Sequence, residues 1–361
     1  MKKVLILTDG KAGHENQSKA FVRALGCEFD LVEVRFKSKF AKTISYLLDN
    51  FNVRGLFPFL AAEGAQGGHK VLRPLCASEA LCGKDKYCGV IGTGSGTFYA
   101  AKAVARKLGV KCGVVLYPRG YDVASFDCVL APAFDRPKKA ANVIEIPANL
   151  VANDEAFYEK GVEAFWEKRG RDAPAPRDAP APRDTPAPRE GAVPESGAGA
   201  SRPRMSAVAV IIGGPNKCST MTPEWMKAQL DAIFNSNTQT LQNSTTEFWV
   251  TTSRRTPPEV EQVVDSYPWD YKLLYSKDHF NPIPAFVKLA KKLYVTAEST
   301  GMLSEACTFG SAEVVALDNL NPGPHKFRRF VEDLRTGGYV DGNRKVDLSA
   351  QFARARKLMS L

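Results

Sequence analysis

Five polar stretches of this chain carry residue types that could do chemistry. The first, Thr8-Asp9-Gly10-Lys11-Ala12-Gly13-His14-Glu15-Asn16-Gln17-Ser18, follows the apolar run Val4 to Leu7 and leads into a helical pattern starting near His14 or Glu15. An imidazole with a pKa of about 6.5 can take a proton from a hydroxyl near neutral pH, which makes His14 a candidate base. Asp9 can orient His14 or serve as the base itself. Gly10 and Gly13 let backbone amides come close to a ligand, and Lys11, Asn16 and Gln17 add polar contacts. A plain strand-to-helix turn would need one glycine, not this concentration of functional groups.

The second stretch, Gly92-Thr93-Gly94-Ser95-Gly96-Thr97, resembles a dinucleotide fingerprint but ends in Thr97. The next apolar run, Lys111 to Leu116, leads into Tyr117-Pro118-Arg119 without a ribose-binding acid, so NAD is not expected. Gly94 and Ser95 suit an oxyanion or a sugar hydroxyl instead. The third stretch is Gly213-Gly214-Pro215-Asn216-Lys217, and the fourth, Thr251 to Pro257, holds Ser253 and Arg254, whose guanidinium offers two donors to a phosphate. In the fifth, Thr296-Ala297-Glu298-Ser299-Thr300-Gly301-Met302-Leu303-Ser304-Glu305, Ser299 or Thr300 can cap a helix whose buried face is Met302, Leu303 and Ala306. The start of such a helix aims free amides and a positive dipole at an anion, and Glu305 lies one turn further on, within reach of a ribose.

Positioning these stretches takes rigid strands. Apolar runs at Val4 to Leu7, Phe29 to Val34, Tyr87 to Ile91, Lys111 to Leu116, Cys128 to Ala131 and Val143 to Ile146 alternate with helical patterns. The clearest helix is Phe98 to Leu108, with Phe98, Ala101, Ala105 and Leu108 on one face. The alternation restarts at Ala207 to Ile212 and continues through Phe248 to Thr252, Lys272 to Tyr275, Lys292 to Thr296 and Val314 to Leu317. Strand and helix in turn mean parallel sheets, with ligands beyond the carboxyl ends of the strands. Between the two halves, Arg171 to Glu190 repeats a proline-rich six-residue unit that cannot bury enough surface to order itself. The expected division is therefore residues 1–165, a linker at 166–204, a second half at 205–345, and a C-terminal helix at 346–361 that returns to the first half.

With 361 residues and 44% apolar content, two domains fit the chain. Its 49 Lys and Arg against 39 Asp and Glu give a net charge of +10, which suits anionic partners. No motif of a recognised nucleic-acid reader accompanies that charge, so none is expected to bind. The start, MKKVLILTDGK, is too short for a signal-peptide core, and no stretch reaches about 18 apolar residues, so a cytoplasmic location is expected. Eight cysteines then read as reduced thiols. Cys76, Cys82 and Cys88 recur every six residues, wider than the usual metal-binding pairs, and no metal is expected. Phe36 to Leu60 mixes lysines with aromatics and leucines in the manner of a membrane-surface segment, against the alternative of core helices with solvated lysines.

Taken in order, DGKAGHENQS, GTGSGT, IGGPNK, TTSRRTP, TAESTGMLSEACTFG and HKFRRF resemble the family named after the plant mitochondrial-fission protein "elongated mitochondria". That family is in turn similar to GT-B glycosyltransferases such as the peptidoglycan GlcNAc transferase and lipid-A-disaccharide synthase. The resemblance implies an α/β, GT-B-like architecture with two Rossmann-like domains of parallel sheets facing a central cleft. It also implies a nucleotide-diphosphate sugar, UDP-linked, bound in the C-terminal domain without a metal or other cofactor. By the same resemblance, Gly10, Gly13 and His14 match an acceptor-side loop, Ser299, Thr300 and Glu305 match diphosphate and ribose contacts, and Gly213 and Gly214 match the loop opening the donor domain. The chain departs from the pattern at Gly310-Ser311-Ala312, where relatives tend to have Gly-Lys-Pro, and at Glu298, where aspartate is usual.

Two readings follow. In one, a metal-independent glycosyltransferase moves a sugar onto an unidentified, envelope or lipid-linked acceptor, with helix amides at Ser299 to Gly301 plus Arg254 or Lys217 neutralising the departing diphosphate. In the other, the chain is a non-catalytic nucleotide-binding or membrane-peripheral adaptor that contacts anionic lipid.

Overall fold

The structure, a computed structural model, describes residues 2–51, 53, 55, 59–64, 70–75, 86–172, 206–238 and 246–361. The first half contains β1 (Lys3–Thr8), α1 (Ala12–Ala24), β2 (Glu28–Phe36), α2 (Lys39–Asn50), β3 (Phe59–Gly64), β4 (Lys70–Pro74), β5 (Gly89–Thr93), α3 (Phe98–Leu108), β6 (Lys111–Val115), β7 (Cys128–Pro132) and β8 (Val143–Ile146). After α4 (Glu155–Asp172) come β9 (Ser206–Ile211), α5 (Pro223–Thr238), β10 (Thr246–Thr251), α6 (Pro258–Asp265), β11 (Tyr271–Leu273), α7 (Ile283–Leu289), β12 (Ala290–Thr296), α8 (Thr300–Thr308), β13 (Glu313–Leu317), α9 (Lys326–Thr336) and α10 (Ser349–Met359).

The second sheet runs β11-β10-β9-β12-β13 and is parallel throughout, the Rossmann order with its switch point between β9 and β12. The first runs β4-β3-β2-β1-β5-β6-β7-β8. Its central strands are apolar from end to end because both faces are covered, as Val4 to Leu7 and Gly89 to Thr93 illustrate. The architecture is thus α/β with two Rossmann-like halves, as the alternation of strands and helices leads one to expect. One element departs from the expected parallel sheet: β3 pairs antiparallel with β2 and with β4 at the sheet edge. An antiparallel hairpin needs no crossover helix, so the strand-helix alternation does not announce it.

Two helices exchange places between the halves. Tyr158 and Phe165 of α4 are fully buried with Trp249, Tyr271 and Phe286 in the core of the second sheet, although their sequence position puts them in the first half. Gly161 lets α4 lie against α7, since a Cβ there would sit 2.4 Å from Pro284. Conversely, Ala355 and Met359 of α10 pack with Val4, Ile6, Val115 and Cys128 under the first sheet, and Gly89 and Gly113 leave room for Met359. Residues 166–172, expected in the linker, continue α4, where Arg169 grips Glu247 at 2.5 and 2.7 Å and Lys168 pairs with Asp278 at 2.6 Å. Most of the proline-rich repeat, from residue 173 to 205, lies outside the described residues, as do Cys76 and Cys82.

The halves also touch directly. Phe134, in the turn after β7, stacks edge-on against Phe330 of α9 at 5.2 Å. Beside it, Arg136 forks onto Asp333 at 2.8 and 2.9 Å, and the Asn149 N–H donates to Ser304 Oγ. No described helix is long and apolar enough to cross a membrane.

Candidate functional site

The glycine corners after β1 and β5 interlock. His14 Nδ1 lies 3.0 and 3.1 Å from the two Asp9 carboxylate oxygens, and Lys11 Nζ reaches Asp9 Oδ2 at 2.8 Å. Burial pushes the Asp9 carboxyl upward, but hydrogen bonds from His14 and Lys11 outweigh it and hold the group well below the usual carboxylate range. An ionised Asp9 accepts from a proton donor, so Nδ1 carries a hydrogen in this contact. The imidazole lies against Gly94, whose φ is +81°, so that a Cβ there would sit 2.4 Å from His14 Cε1. Asp9 lies likewise against Gly96, where a Cβ would come within 2.8 Å of its own Cβ.

Other groups hold this arrangement in place. Ser18 of α1 and Thr93 of β5 share a buried hydroxyl contact at 2.6 Å, and Lys42 of α2 donates to Ser95 Oγ at 3.0 Å. Helix α1 begins at Ala12, earlier than the sequence pattern places it, and Lys11 at its N-cap makes no side-chain capping bond. Gly13 faces open space, Asn16 is exposed, and the Gln17 carbonyl oxygen is buried without a partner. Gly10, with φ +78°, lies over the Glu33 carboxylate.

In the second half, a cavity of about 550 Å³ opens at the carboxyl ends of β9 and β12. Lys217, Arg255 and Lys326 line it together with Ser299, Thr300 and Gly301. Helix α8 therefore presents its N-terminus to the cavity, and Ser299, at the N-cap, makes no side-chain capping bond. Gly301 has nothing within 4 Å of where a side chain would start. Behind this rim, Glu298 is buried, which raises its carboxyl above the ordinary range, and its Oε1 accepts the Gly214 N–H at 2.8 Å. The other oxygen, Oε2, is buried without a partner.

Three roles anticipated from the sequence look different in this geometry. The N–H groups of Gly213 and Gly214 are already used by Thr296 Oγ1 and Glu298 Oε1. These residues are glycines because Glu298 lies 2.0 Å from where a Gly213 Cβ would sit and the Arg255 carbonyl lies 2.2 Å from that of Gly214. Arg254 and Ser253 line a separate cavity of about 470 Å³ with Glu261 and Tyr275, and the neighbouring Arg255 enters the α8 cavity instead. A tight turn decides this: Ser253 N–H donates to Thr256 Oγ1, which itself donates to the Gly213 carbonyl. Glu305 does not line the α8 cavity; it receives the Tyr158 hydroxyl at 3.2 Å, and its burial raises its carboxyl pKa.

Arg255, Lys326 and Phe327 were not singled out as site residues, although they fall inside the TTSRRTP and HKFRRF stretches. His325, next to them, caps α9: Nδ1 accepts from the Arg328 N–H at 3.3 Å and Nε2 donates to the Asn321 carbonyl at 3.0 Å. Both ring nitrogens are thereby occupied, so His325 is not a proton acceptor for a ligand. Among the described residues, no group of His, Cys, Asp and Glu could hold a metal ion.

Residues 188–354 match the family model described as Mitochondrial fission ELM1. No curated protein matches the chain. Among solved structures, the UDP-GlcNAc 2-epimerase from Neisseria meningitidis bound to UDP-GlcNAc is 11% identical, with a TM-score of 0.47 over 100% of this chain and 98% of its own. The Methanocaldococcus jannaschii UDP-GlcNAc 2-epimerase, in complex with UDP-GlcNAc and UDP, is also 11% identical, with a TM-score of 0.44 over 100% of both chains. The glycosyltransferase SnogD from Streptomyces nogalater is 13% identical, with a TM-score of 0.38 over 100% of this chain and 95% of that one. Four of the six motifs that carry the resemblance, from IGGPNK to HKFRRF, fall inside residues 188–354, the stretch over which the chain is similar to the Mitochondrial fission ELM1 family.

Proposed function

We propose that this chain binds a nucleotide-diphosphate sugar in the α8 cavity and transfers the sugar to an acceptor hydroxyl held at the Asp9–His14 corner. The observation that carries this reading is the convergence of Lys217, Arg255 and Lys326 on the uncapped N-terminus of α8. Such a site suits a diphosphate, because aligned amides and cations stabilise the charge that builds on the leaving oxygen. At the other corner, His14 Nε2 takes the acceptor proton while Asp9 steadies the imidazolium that forms. The acceptor oxygen then bonds to the anomeric carbon as the bond to the diphosphate breaks. A ribose hydroxyl reaching Glu305 would compete with Tyr158 for the same carboxylate.

Calorimetric titration with UDP and UDP-sugars tests the reading. The unmutated chain should bind, and Arg255→Ala should weaken binding by roughly tenfold or more, as loss of a bidentate phosphate contact does. Arg254→Ala should leave affinity nearly unchanged, and His14→Ala should abolish turnover while sparing binding. No affinity in the unmutated chain, or equal losses from the two arginine variants, would overturn it.

A further inference from the structure

The outer face of α2 is apolar and exposed where a helix covering a sheet should be polar. Phe40 is 72% exposed, Leu47 56%, and Phe51, at the C-cap, 73%. Spaced seven and four residues apart, they form one stripe along the helix. The opposite face is pinned: Ser45 Oγ meets the Tyr121 hydroxyl at 3.0 Å, Tyr46 stacks on Tyr121 at 4.5 Å, and Asp49 pairs with Lys102 at 2.9 Å. The helix therefore cannot roll to bury its phenylalanines without breaking a buried ion pair.

Charge narrows the choice of partner. Asp49 is the one acidic residue between positions 37 and 55, and it is buried. Lys37 and Lys39 are exposed at the N-terminal end of α2, where the helix dipole disfavours cations unless an anionic surface neutralises them. An apolar stripe with a cationic end and no exposed acid suits the boundary between anionic headgroups and acyl chains. We infer that α2 docks the chain on an anionic lipid surface through Phe40, Leu47 and Phe51, with Lys37 and Lys39 contacting the headgroups. This inference does not depend on nucleotide-sugar binding.

Flotation of the full chain with vesicles of phosphatidylcholine, with and without phosphatidylglycerol, tests it. The chain should float with the anionic vesicles alone and be released by salt. Phe40→Ser with Leu47→Ser and Phe51→Ser should lose roughly tenfold or more in vesicle affinity, at an unchanged unfolding midpoint. Should that triple variant fail to fold, Lys37→Glu with Lys39→Glu should show the same loss. Absence of flotation, or flotation that survives both sets of substitutions, would overturn the inference. So would a dimer in sedimentation that the triple variant dissolves without any vesicle binding, since a second copy would then be the occupant.

Discussion

Replacing Gly94 with alanine should damage a histidine eighty residues earlier in the chain. At φ +81° an L-residue costs about 1–2 kcal/mol more than glycine. The new Cβ would also stand 2.4 Å from His14 Cε1 and 2.6 Å from Nδ1, so the imidazole must leave. With it goes the hydrogen bond to ionised Asp9, and a bond to a charged group contributes about 1.5–3 kcal/mol. The sum predicts a loss of about 2.5–5 kcal/mol for Gly94→Ala. In a His14→Ala background the second contribution has already gone, and the same substitution should cost only about 1–2 kcal/mol. Amide exchange at β1 and α1, followed in all four members of this cycle, reads the local free energies. A coupling within about 0.5 kcal/mol of zero would mean that Gly94 and His14 do not depend on each other, and the interlocked corner would be refuted.

Two further outcomes follow from charged groups. Lys102→Met leaves Asp49, whose side chain is fully buried, without its counter-ion and should cost about 3–5 kcal/mol in urea unfolding. Adding Asp49→Asn should restore part of this, since the amide oxygen can still accept the Asp122 N–H. Asp9 is held below its ordinary value of 3.8, so its contribution to stability is complete above that pH and is lost as the pH falls through the folded-state pKa. The stability gap between the unmutated chain and Asp9→Asn should therefore narrow as the pH falls below about 4.

The central strands were legible because strands buried on both faces must be apolar throughout, and α3 matches its expected span from Phe98 to Leu108. What escaped was set by contacts distant in sequence. The periodicity of α4 does not say which sheet it will cover, and Tyr158 and Phe165 chose the second. The same holds within the site. Lys217, Ser299, Thr300 and Gly301 could be placed together because strand ends of a parallel sheet converge. That Arg255 rather than its neighbour enters the cavity depends on one turn closed by Thr256, which no spacing rule reveals. Glu305 has the expected separation from Ser299, but the face it occupies is met by Tyr158.

The exchanged helix α4 changes what the proline-rich repeat can do. In sequence, residues 173–205 stand where a tether between two domains would stand. In space, both flanks, α4 and β9, are rooted in one core, that of the second sheet. The described elements on either side of the repeat thus belong to one half, so adding or deleting units should leave the packing between the halves unchanged. The described chain passes between the halves elsewhere, at residues 147–154 and 341–348, which carry it out of the first half and back.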